Sequence, residues 1–288
     1  MLALIIAVAG GKGGCGKTTV AVNMALSLAS KKSVQIADCD VEEPNVHLLI
    51  KHKLLWEKPV SLFSPQFNMD KCTLCGNCVK FCQYHAIVKV PNKILFFQEL
   101  CHGCEGCAFV CPHEAVERGE KIIGVVRGGV SENGILKLVY GLLSIGEPRA
   151  PPLIEAVRKS CDSNVDVTII DAPPGTSCPV IASIKGVDHV VLVTEPTPMG
   201  LHDLKLIVNV VRKMGLSFSV VVNKAGLGDD KVYSFCKNEN IPIVLEVPYE
   251  RRISELYSRG IPLVEVMSTW REKFVECFEL ISEAVKGG

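Results

Sequence analysis

Two copies of one cysteine spacing lie close together in this chain, and they limit what the segment between residues 72 and 111 can become. The chain has 14 cysteines. Eight of them form the pattern C-x2-C-x2-C-x3-C twice, first as Cys72, Cys75, Cys78 and Cys82, and again as Cys101, Cys104, Cys107 and Cys111. Two complete copies do not arise by chance, so the pattern indicates a binding function for these thiols.

A zinc site and a disulfide framework both account less well for the cysteines. A structural zinc site uses two C-x2-C pairs about fifteen to twenty residues apart, and each copy here has too many thiols for one zinc ion. A disulfide framework needs an oxidising compartment, and nothing in the sequence indicates export. The pattern therefore favours iron–sulfur clusters.

The spacing resembles that of bacterial ferredoxins with two clusters. In those proteins three close thiolates hold three corners of a 4Fe–4S cube, and the fourth cysteine of each run binds the other cluster. The resemblance implies one cluster on Cys72, Cys75, Cys78 and Cys111, and another on Cys101, Cys104, Cys107 and Cys82. Pro112 follows the second run as expected, whereas Gln83 replaces the first proline, which shapes backbone and binds no iron.

Length and composition set the frame for this segment. The chain has 288 residues, of which 48% are hydrophobic, enough for one full α/β domain and a small insert. Its formal net charge is zero, which argues against nucleic acid or an anionic membrane as partner. No apolar run reaches the length of a membrane span, and Met1–Gly10 lacks the features of a secretory signal. We therefore expect a cytoplasmic protein whose thiols are free for metal.

A phosphate-binding loop follows the apolar run Leu2–Ala9, which we predict to be a strand. Residues 11–19 match G-x4-G-K-[ST] before a predicted helix, Lys17–Ser30, and this context confirms the motif. Backbone N–H groups of such a loop turn toward phosphates. We expect nucleotide contacts from Gly11, Lys12, Gly13, Gly14, Cys15, Gly16, Lys17, Thr18 and Thr19. Lys17 is expected to reach the β- and γ-phosphates, and the Thr18 hydroxyl to bind Mg²⁺.

Lys12 makes this a deviant phosphate loop. The motif KGGxGKTT resembles that of the MinD/ParA group of ATPases, which includes the nitrogenase iron protein and the Mrp-type iron–sulfur carriers. The resemblance covers about residues 1–55 and 120–288. It implies that Lys12 crosses a homodimer interface to the partner's nucleotide, although a lysine in a glycine loop can also be merely solvated.

Acidic motifs follow two further predicted strands. Asp38 and Asp40 come after the apolar run at 34–37, and Asp171 begins the motif DAPPG after the run at 167–170. The resemblance implies that Asp40 orients the attacking water and that Asp38 supports Mg²⁺ or the loop. It also implies that Asp171 holds Mg²⁺ through water and that the Gly175 amide senses the γ-phosphate. Such acids could instead cap helices.

The rest of the chain alternates predicted strands and helices. The strands are Val190–Thr194, Ser217–Asn223 and Ile243–Val247, and the helices are Met199–Met214, Asp229–Glu239 and Met267–Val285. Alternation predicts an α/β fold with a doubly wound, mostly parallel sheet. We expect an ATPase from 1–60 and 121–288, with a small α+β ferredoxin-like domain inserted at 61–120 around a hairpin of Ile87–Val90 and Ile94–Phe97.

Three residues at strand ends are expected to contact the base of the nucleotide. By resemblance, Asn223 reads the adenine, while Pro248 and Tyr249 flank it. An asparagine after a strand is also an ordinary turn residue. The final helix, which carries Trp270 and Phe274 on one face, is acidic and is expected to pack in the core rather than on a membrane.

Together these motifs predict an ATP-binding and ATP-hydrolysing switch that uses ATP/ADP, Mg²⁺ and two 4Fe–4S clusters. One hypothesis is that a nucleotide-dependent dimer cycle controls electron transfer to a protein redox partner. A second is assembly of clusters or metallocofactors in a client protein, although Mrp-type carriers use a C-terminal C-x2-C pair that this sequence lacks. A third is MinD/ParA-type positioning with redox sensing, for which the composition offers no membrane or nucleic-acid surface.

Cys178 adds one further hypothesis. It lies seven residues after Asp171, and in the nitrogenase iron protein a cysteine at that offset helps hold a cluster shared across the dimer. That arrangement needs a second, earlier cysteine, and residues 119–160 offer none. The alternative is a buried thiol in a helix starting near Pro179. Cys15, Cys39, Cys161, Cys236 and Cys277 are expected to be buried as small apolar side chains.

Overall fold

The structure is a computed structural model that describes residues 3–287, so Leu2 lies outside the described part of the chain. The chain forms two compact units. The larger unit runs to Lys58 and also contains Val126–Leu142 and the chain from Ala150 onward. The smaller unit comprises Pro59–Val125 and Leu143–Arg149.

A nine-stranded sheet organises the chain. Its strands are β1 (Leu4–Ala9), β2 (Val34–Asp38), β3 (His52–Phe67), β6 (Val116–Ser131), β7 (Leu136–Leu143), β8 (Val167–Asp171), β9 (His189–Thr194), β10 (Phe218–Ala225) and β11 (Ile243–Pro248). They lie in the order β11-β10-β9-β1-β8-β2-β7-β6-β3. Neighbours from β11 to β7 pair in parallel. The predicted α/β fold with a mostly parallel sheet is confirmed.

Helices cover the sheet of the larger unit. They are α1 (Lys17–Leu28), α2 (Val46–Leu49), α5 (Ala150–Lys159), α6 (Cys178–Ile184), α7 (Pro198–Lys213), α8 (Lys231–Asn238), α9 (Arg251–Ser258), α10 (Leu263–Val266) and α11 (Ser268–Gly287). α11 buries Trp270 and Phe274 in the same core as Ile6 and Ile36, as expected for a helix that packs rather than binds a membrane. Between residues 3 and 287, no helix combines the length and apolarity that a membrane crossing requires.

Strands β3, β6 and β7 were not predicted. Pro59 and Pro65 favour a break in the chain, yet both lie within the 16-residue strand β3. β3 is the last strand of the sheet, and an edge strand tolerates proline because half of its N–H groups need no partner. The predicted domain limits near residues 60 and 120 therefore fall inside β3 and β6.

The smaller unit has little regular structure besides β3 and β6. It contains α3 (Asn77–Phe81), α4 (Gly106–Phe109) and an antiparallel hairpin of β4 (Ile87–Val90) and β5 (Lys93–Phe96). The predicted hairpin is confirmed within one residue. Its core is small and includes two of the eight cysteines: it consists of Phe63, Cys78, Ile87, Ile94, Cys107 and Val116.

Candidate functional site

The phosphate loop joins the central strand β1 to α1. Gly14 and Gly16 adopt positive φ angles of 77° and 98°, which glycine reaches without strain. A Cβ atom at Gly16 would also lie 2.1 Å from Nδ2 of Asn223, so a larger residue would not fit there. The buried Lys17 donates from Nζ to the Lys12 carbonyl at 3.2 Å. The Lys17 side chain therefore folds back onto the backbone of its own loop.

A cleft with a volume of about 290 Å³ lies over this loop in the larger unit. The predicted residues that line it are Gly13, Gly14, Gly16, Lys17, Thr18, Thr19, Asp40, Asn223, Pro248 and Tyr249. They come from four separate stretches of sequence, at the carboxyl ends of parallel strands and at the start of α1. That edge is where open α/β sheets bind ligands. Asn223 donates from Nδ2 to the Cys15 carbonyl at 2.9 Å, which ties the end of β10 to the loop.

Asp38 organises the backbone beyond β2. Its carboxylate accepts the N–H groups of Asp40 at 3.0 Å, Asn45 at 2.9 Å and Val46 at 3.0 Å. Complete burial raises the pKa of Asp38 well above its usual range, and the neighbouring Asp171 raises it further. Asp38 therefore supports the loop that carries Asp40, which was one of its two expected roles.

Asp171, at the end of β8, has the chemistry of a magnesium ligand. Its Oδ1 is buried and has no hydrogen-bond partner among the described residues. Burial raises the pKa of Asp171 to about 7, against the opposing effects of the Thr18 hydroxyl and Lys17. Burial likewise raises the pKa of Asp40 to about 6, with Lys17 opposing. A divalent cation with oxygen ligands would compensate these carboxylates, so the residues fit Mg²⁺.

Glu195 is part of this site and was not predicted. It directly follows β9, and its carboxylate contacts Nζ of Lys12 at 2.9 Å and Nζ of Lys224 at 2.5 Å. Burial alone would raise the pKa of Glu195, but the two lysines lower it below its usual value. Lys12 is therefore held by a carboxylate of its own chain. The sequence did contain a sign of this role: Glu195 is an acidic residue directly after a predicted buried strand, and such strand ends carry the other predicted site residues.

The structure gathers the eight clustered cysteines into two groups in the smaller unit. One small cavity is lined by Cys72, Cys75, Cys78 and Cys111. A second small cavity is lined by Cys82, Cys101, Cys104 and Cys107. We call these the first and second cysteine sets. Each set takes three cysteines from one run and the fourth from the other, as the ferredoxin resemblance implies.

The backbone around the two sets repeats the same unusual conformations. Leu74 and Gly103, which each precede the second cysteine of a run, have φ of 54° and 68°. Left-handed conformations also recur three residues beyond each run, at His85 and Glu114, with φ of 51° and 49°. Such conformations are strained in non-glycine residues and concentrate at functional sites.

Backbone N–H groups near these positions point at sulfur atoms. Gly103 N donates to Sγ of Cys101 at 3.4 Å, and Ala115 N donates to Sγ of Cys111 at 3.3 Å. An N–H group aimed at sulfur stabilises a thiolate more than a thiol, because the negative charge strengthens the bond. The loops are thus shaped for charged sulfur ligands.

The chemistry of the two sets suits iron–sulfur clusters. Burial raises the pKa of Cys107 to about 12 and also raises that of Cys78, so these thiols stay neutral unless a cation compensates their charge. The thiols of each set surround a cavity and do not converge on one point. Between residues 3 and 287, no three His, Cys, Asp or Glu side chains are grouped closely enough to hold a single ion. Four sulfur donors around a cavity fit a 4Fe–4S cube.

The remaining cysteines divide by burial. Cys15, Cys39, Cys236 and Cys277 are buried, as expected, whereas Cys161 is partly exposed. Cys178 is exposed at the start of α6, so the expectation of a buried thiol there was wrong. The helix turns into the core only after it, since Val180, two positions later, is fully buried.

Comparison with known proteins gives a consistent result. Residues 6–263 match a family described as the CobQ/CobB/MinD/ParA nucleotide binding domain. An uncharacterized protein of Methanocaldococcus jannaschii is 32% identical over 89% of this chain and 90% of its own length. An iron-sulfur cluster carrier protein of Pyrococcus horikoshii is 24% identical over 98% of this chain and 86% of its own.

One solved structure extends this comparison to the fold. The septum site-determining protein MinD of Pyrococcus horikoshii, complexed with Mg-ADP, aligns with a TM-score of 0.59 at 18% identity. The alignment covers 97% of this chain and 96% of that one. The two chains therefore share a fold.

Proposed function

Because this chain belongs to the CobQ/CobB/MinD/ParA nucleotide-binding family of P-loop ATPases, we propose that it is an ATP-driven switch whose smaller unit carries two 4Fe–4S clusters. In this proposal, a nucleotide-dependent homodimer cycle controls electron transfer to a protein partner. The observation that carries it is the pair of complete four-thiol sets. Four cysteine thiolates are the usual ligands of a 4Fe–4S cluster, so each set could hold a cluster without a ligand from a client protein.

The residues of the nucleotide site divide the work of phosphoryl transfer. Loop N–H groups and Lys17 hold the phosphates, while Thr18 and Asp171 hold Mg²⁺. Asp40 orients the attacking water from the loop that Asp38 organises. Because such catalysis consists mostly of positioning and charge neutralisation, hydrolysis serves to reset a conformation. Lys12 leaves Glu195 when the dimer forms and reaches the partner's nucleotide.

Each cysteine set would provide the ligands of a cluster and an exposed edge through which a partner protein can exchange electrons with it. Cys75 and Cys104 are exposed members of the first and second sets, while Cys78 and Cys107 are buried. A 4Fe–4S cluster, when bound, stores and releases one electron at a potential that the protein tunes. The exposed edge of each set offers a partner a short path, and the buried edge keeps water away from the sulfurs.

A second candidate function is transfer of clusters to client proteins. It is favoured by the similarity to proteins named iron-sulfur cluster carriers, which spans nearly the whole of this chain. The two candidates differ in what happens to iron. An electron carrier keeps its iron through repeated reduction and oxidation, whereas a carrier protein loses iron to an apo-acceptor when it acts.

The test begins with anaerobic purification of the full chain and analysis of iron and sulfide. We expect about eight irons and a matching amount of sulfide per chain. ATP with Mg²⁺ should then change the cluster reduction potential without loss of iron to an apo-ferredoxin acceptor. Lys17→Ala is the matched control, since it should keep the clusters but lose the ATP effect.

Two results would decide against electron transfer. ATP-dependent movement of iron and sulfide to the acceptor would favour the carrier function instead. Zinc in place of iron and sulfide would contradict both candidates, because neither electron storage nor cluster delivery is then available.

A further inference from the structure

The smaller unit contains one buried group of charged side chains. Among its residues, which the structure describes completely, Glu147 and Arg149 are the buried charged ones, at 7% and 8% exposure. The Glu147 carboxylate accepts the Arg149 backbone N–H at 3.1 Å and the Arg149 guanidinium through Nη2 at 2.6 Å. It also pairs with Nζ of Lys121 at 3.0 Å. We call Lys121, Glu147 and Arg149 the triad.

The triad is bonded directly to the second cysteine set. The Arg149 guanidinium donates through Nη1 to the backbone carbonyl of Cys101, the first cysteine of that set. Arg149 lies in the turn after β7, where the chain returns to the smaller unit for only seven residues. This short return places a buried cation against one cysteine loop.

The triad has a net positive charge. The Arg149 hydrogen bonds hold the pKa of Glu147 at about 2 despite burial, and Lys121 acts in the same direction. The carboxylate is therefore ionised at neutral pH, and it neutralises only one of the two cations. The remaining unit charge is poorly screened, because two of the three side chains are buried.

In the described part of the chain, the first cysteine set has no buried ionic group bonded to it. The cation bonded to its loop is Lys89, which donates from Nζ to the Leu74 carbonyl at 2.5 Å and is exposed. Cys72 holds the position in the first run that Cys101 holds in the second. Beside it, Lys71 pairs with Glu117 at 3.5 Å, and both side chains are about half exposed, at 53% and 48%. An exposed pair with equal and opposite charges contributes little field at a buried site. The two sets thus match in thiols and differ in the burial of the cation bonded to their loops, because Arg149 is buried and Lys89 is exposed.

We propose that the triad makes the two cluster sites electrically unequal, with Arg149 as a positioning residue that fixes the Cys101 loop and raises the reduction potential of the second site. The proposal rests on the proposed function, because it needs clusters in both sets. Adding an electron makes a cluster more negative, and a nearby buried cation stabilises that state. The first electron to enter therefore resides on the cluster held by the second set.

The test is a reductive titration of the anaerobic, cluster-loaded full chain, followed by electron paramagnetic resonance. Dithionite supplies the electrons and is oxidised to sulfite, and each of two steps adds one electron to the protein. Arg149→Met should lower the potential of the first step and leave the second unchanged. Glu147→Gln should raise the potential of that same step. A purely structural role would not give shifts of opposite sign.

Three further variants assign and control the effect. Arg149→Lys keeps the charge and should shift the first step less than Arg149→Met does. Arg118→Met removes a cation that is exposed and paired with Glu105 in the same unit, and should shift neither step. Cys104→Ser should alter the signal of the first step, and Cys75→Ser that of the second.

The results of these experiments distinguish failure of the triad's role from failure of the proposed function. Iron and sulfide missing from the unaltered chain would overturn the proposed function, and the inference with it, before any titration. With clusters present, equal shifts of both steps, or shifts of the same sign in Arg149→Met and Glu147→Gln, would overturn the inference alone. If Arg149→Met lost about half of its iron, the positioning role would be supported, since a 4Fe–4S protein with one site left keeps about four irons.

Discussion

The two units of this protein build their sites in opposite ways. In the larger unit, the charged groups lie at the edge of an extensive apolar core, with Asp171 at the end of β8 and Lys17 at the start of α1. In the smaller unit the proposed cluster ligands belong to the core itself, since Cys78 and Cys107 are buried among four apolar residues, with Cys72, Cys82 and Cys111 packed against them. In the proposed function, a nucleotide therefore adds to a larger unit that has its own core, whereas the clusters would form part of the core of the smaller unit.

Size makes this difference consequential. A unit of fewer than about 80 residues buries too little apolar surface to be very stable, and metals commonly supply the remainder. Binding energy at such a metal site is also folding energy. The larger unit needs no such support, because its parallel strands are buried on both faces.

Loss of the clusters should give the largest contrast between the units. The double variant Cys82→Ser/Cys111→Ser removes one ligand from each set, so iron should fall from about eight atoms per chain to about zero. Protease should then cut the chain between residues 68 and 115, while nucleotide affinity stays within about twofold, because the larger unit folds on its own core. Limited proteolysis with mass spectrometry, and nucleotide titration, measure the two effects.

The matched control for that variant is Cys161→Ser, which removes a partly exposed thiol of the larger unit. It should retain full iron content and protease resistance. A cluster-free smaller unit that still resisted protease would contradict this difference between the units, since its apolar core would then be stable without metal.

The two lysines of the phosphate loop should separate ligand binding from assembly in the larger unit. Lys17→Ala removes a charged partner of the phosphates. A hydrogen bond to a charged group is worth about 1.5–3 kcal/mol, so the affinity for ATP should fall about 10- to 150-fold. Lys12→Ala should leave monomer affinity within about twofold and abolish ATP-dependent dimerisation. Titration calorimetry and light scattering with a non-hydrolysable analogue distinguish them. An intact dimer in Lys12→Ala would contradict the role of Lys12 across the interface.

The same contrast explains what the sequence could predict. Sites formed by residues close together in the sequence could be predicted. The spacing of Lys17 and Thr18, or of the cysteines within each run, directly indicates what those residues bind. Contacts between distant residues were not visible: Glu195 meets Lys12 only after β9 and β1 pair, and Arg149 meets Cys101 only after the chain returns from β7. β3 was missed because the sequence does not reveal that it is an edge strand, where prolines such as Pro59 and Pro65 are tolerated.

Glu195 gives a smaller and opposite effect within the larger unit. Glu195→Gln removes the carboxylate that holds Lys12 at 2.9 Å, so ATP-dependent dimerisation should strengthen. A homodimer releases two such pairs, so the dimer constant should change by roughly 30-fold if each partly exposed pair is worth about 1 kcal/mol. Sedimentation measured over a range of protein concentrations gives the dimer constant. Glu239→Gln is the control, because Glu239 also pairs with a basic residue, Arg212, but on the surface. Weaker dimerisation in Glu195→Gln would show that Glu195 supports the dimer rather than restraining Lys12.

Cys178 is expected to have the smallest effect, and it tests whether all clusters belong to the smaller unit. Its thiol is exposed at the first residue of α6, where a partner's thiol could reach it. The two cysteine sets, however, already contain four thiols each without it. Cys178→Ser should therefore leave iron content, ATPase activity and the dimer constant unchanged. More than about eight irons per chain in the unaltered protein, with the excess lost together with dimer stability in Cys178→Ser, would instead place a bridging cluster in the larger unit and make a ligand part of its assembly too.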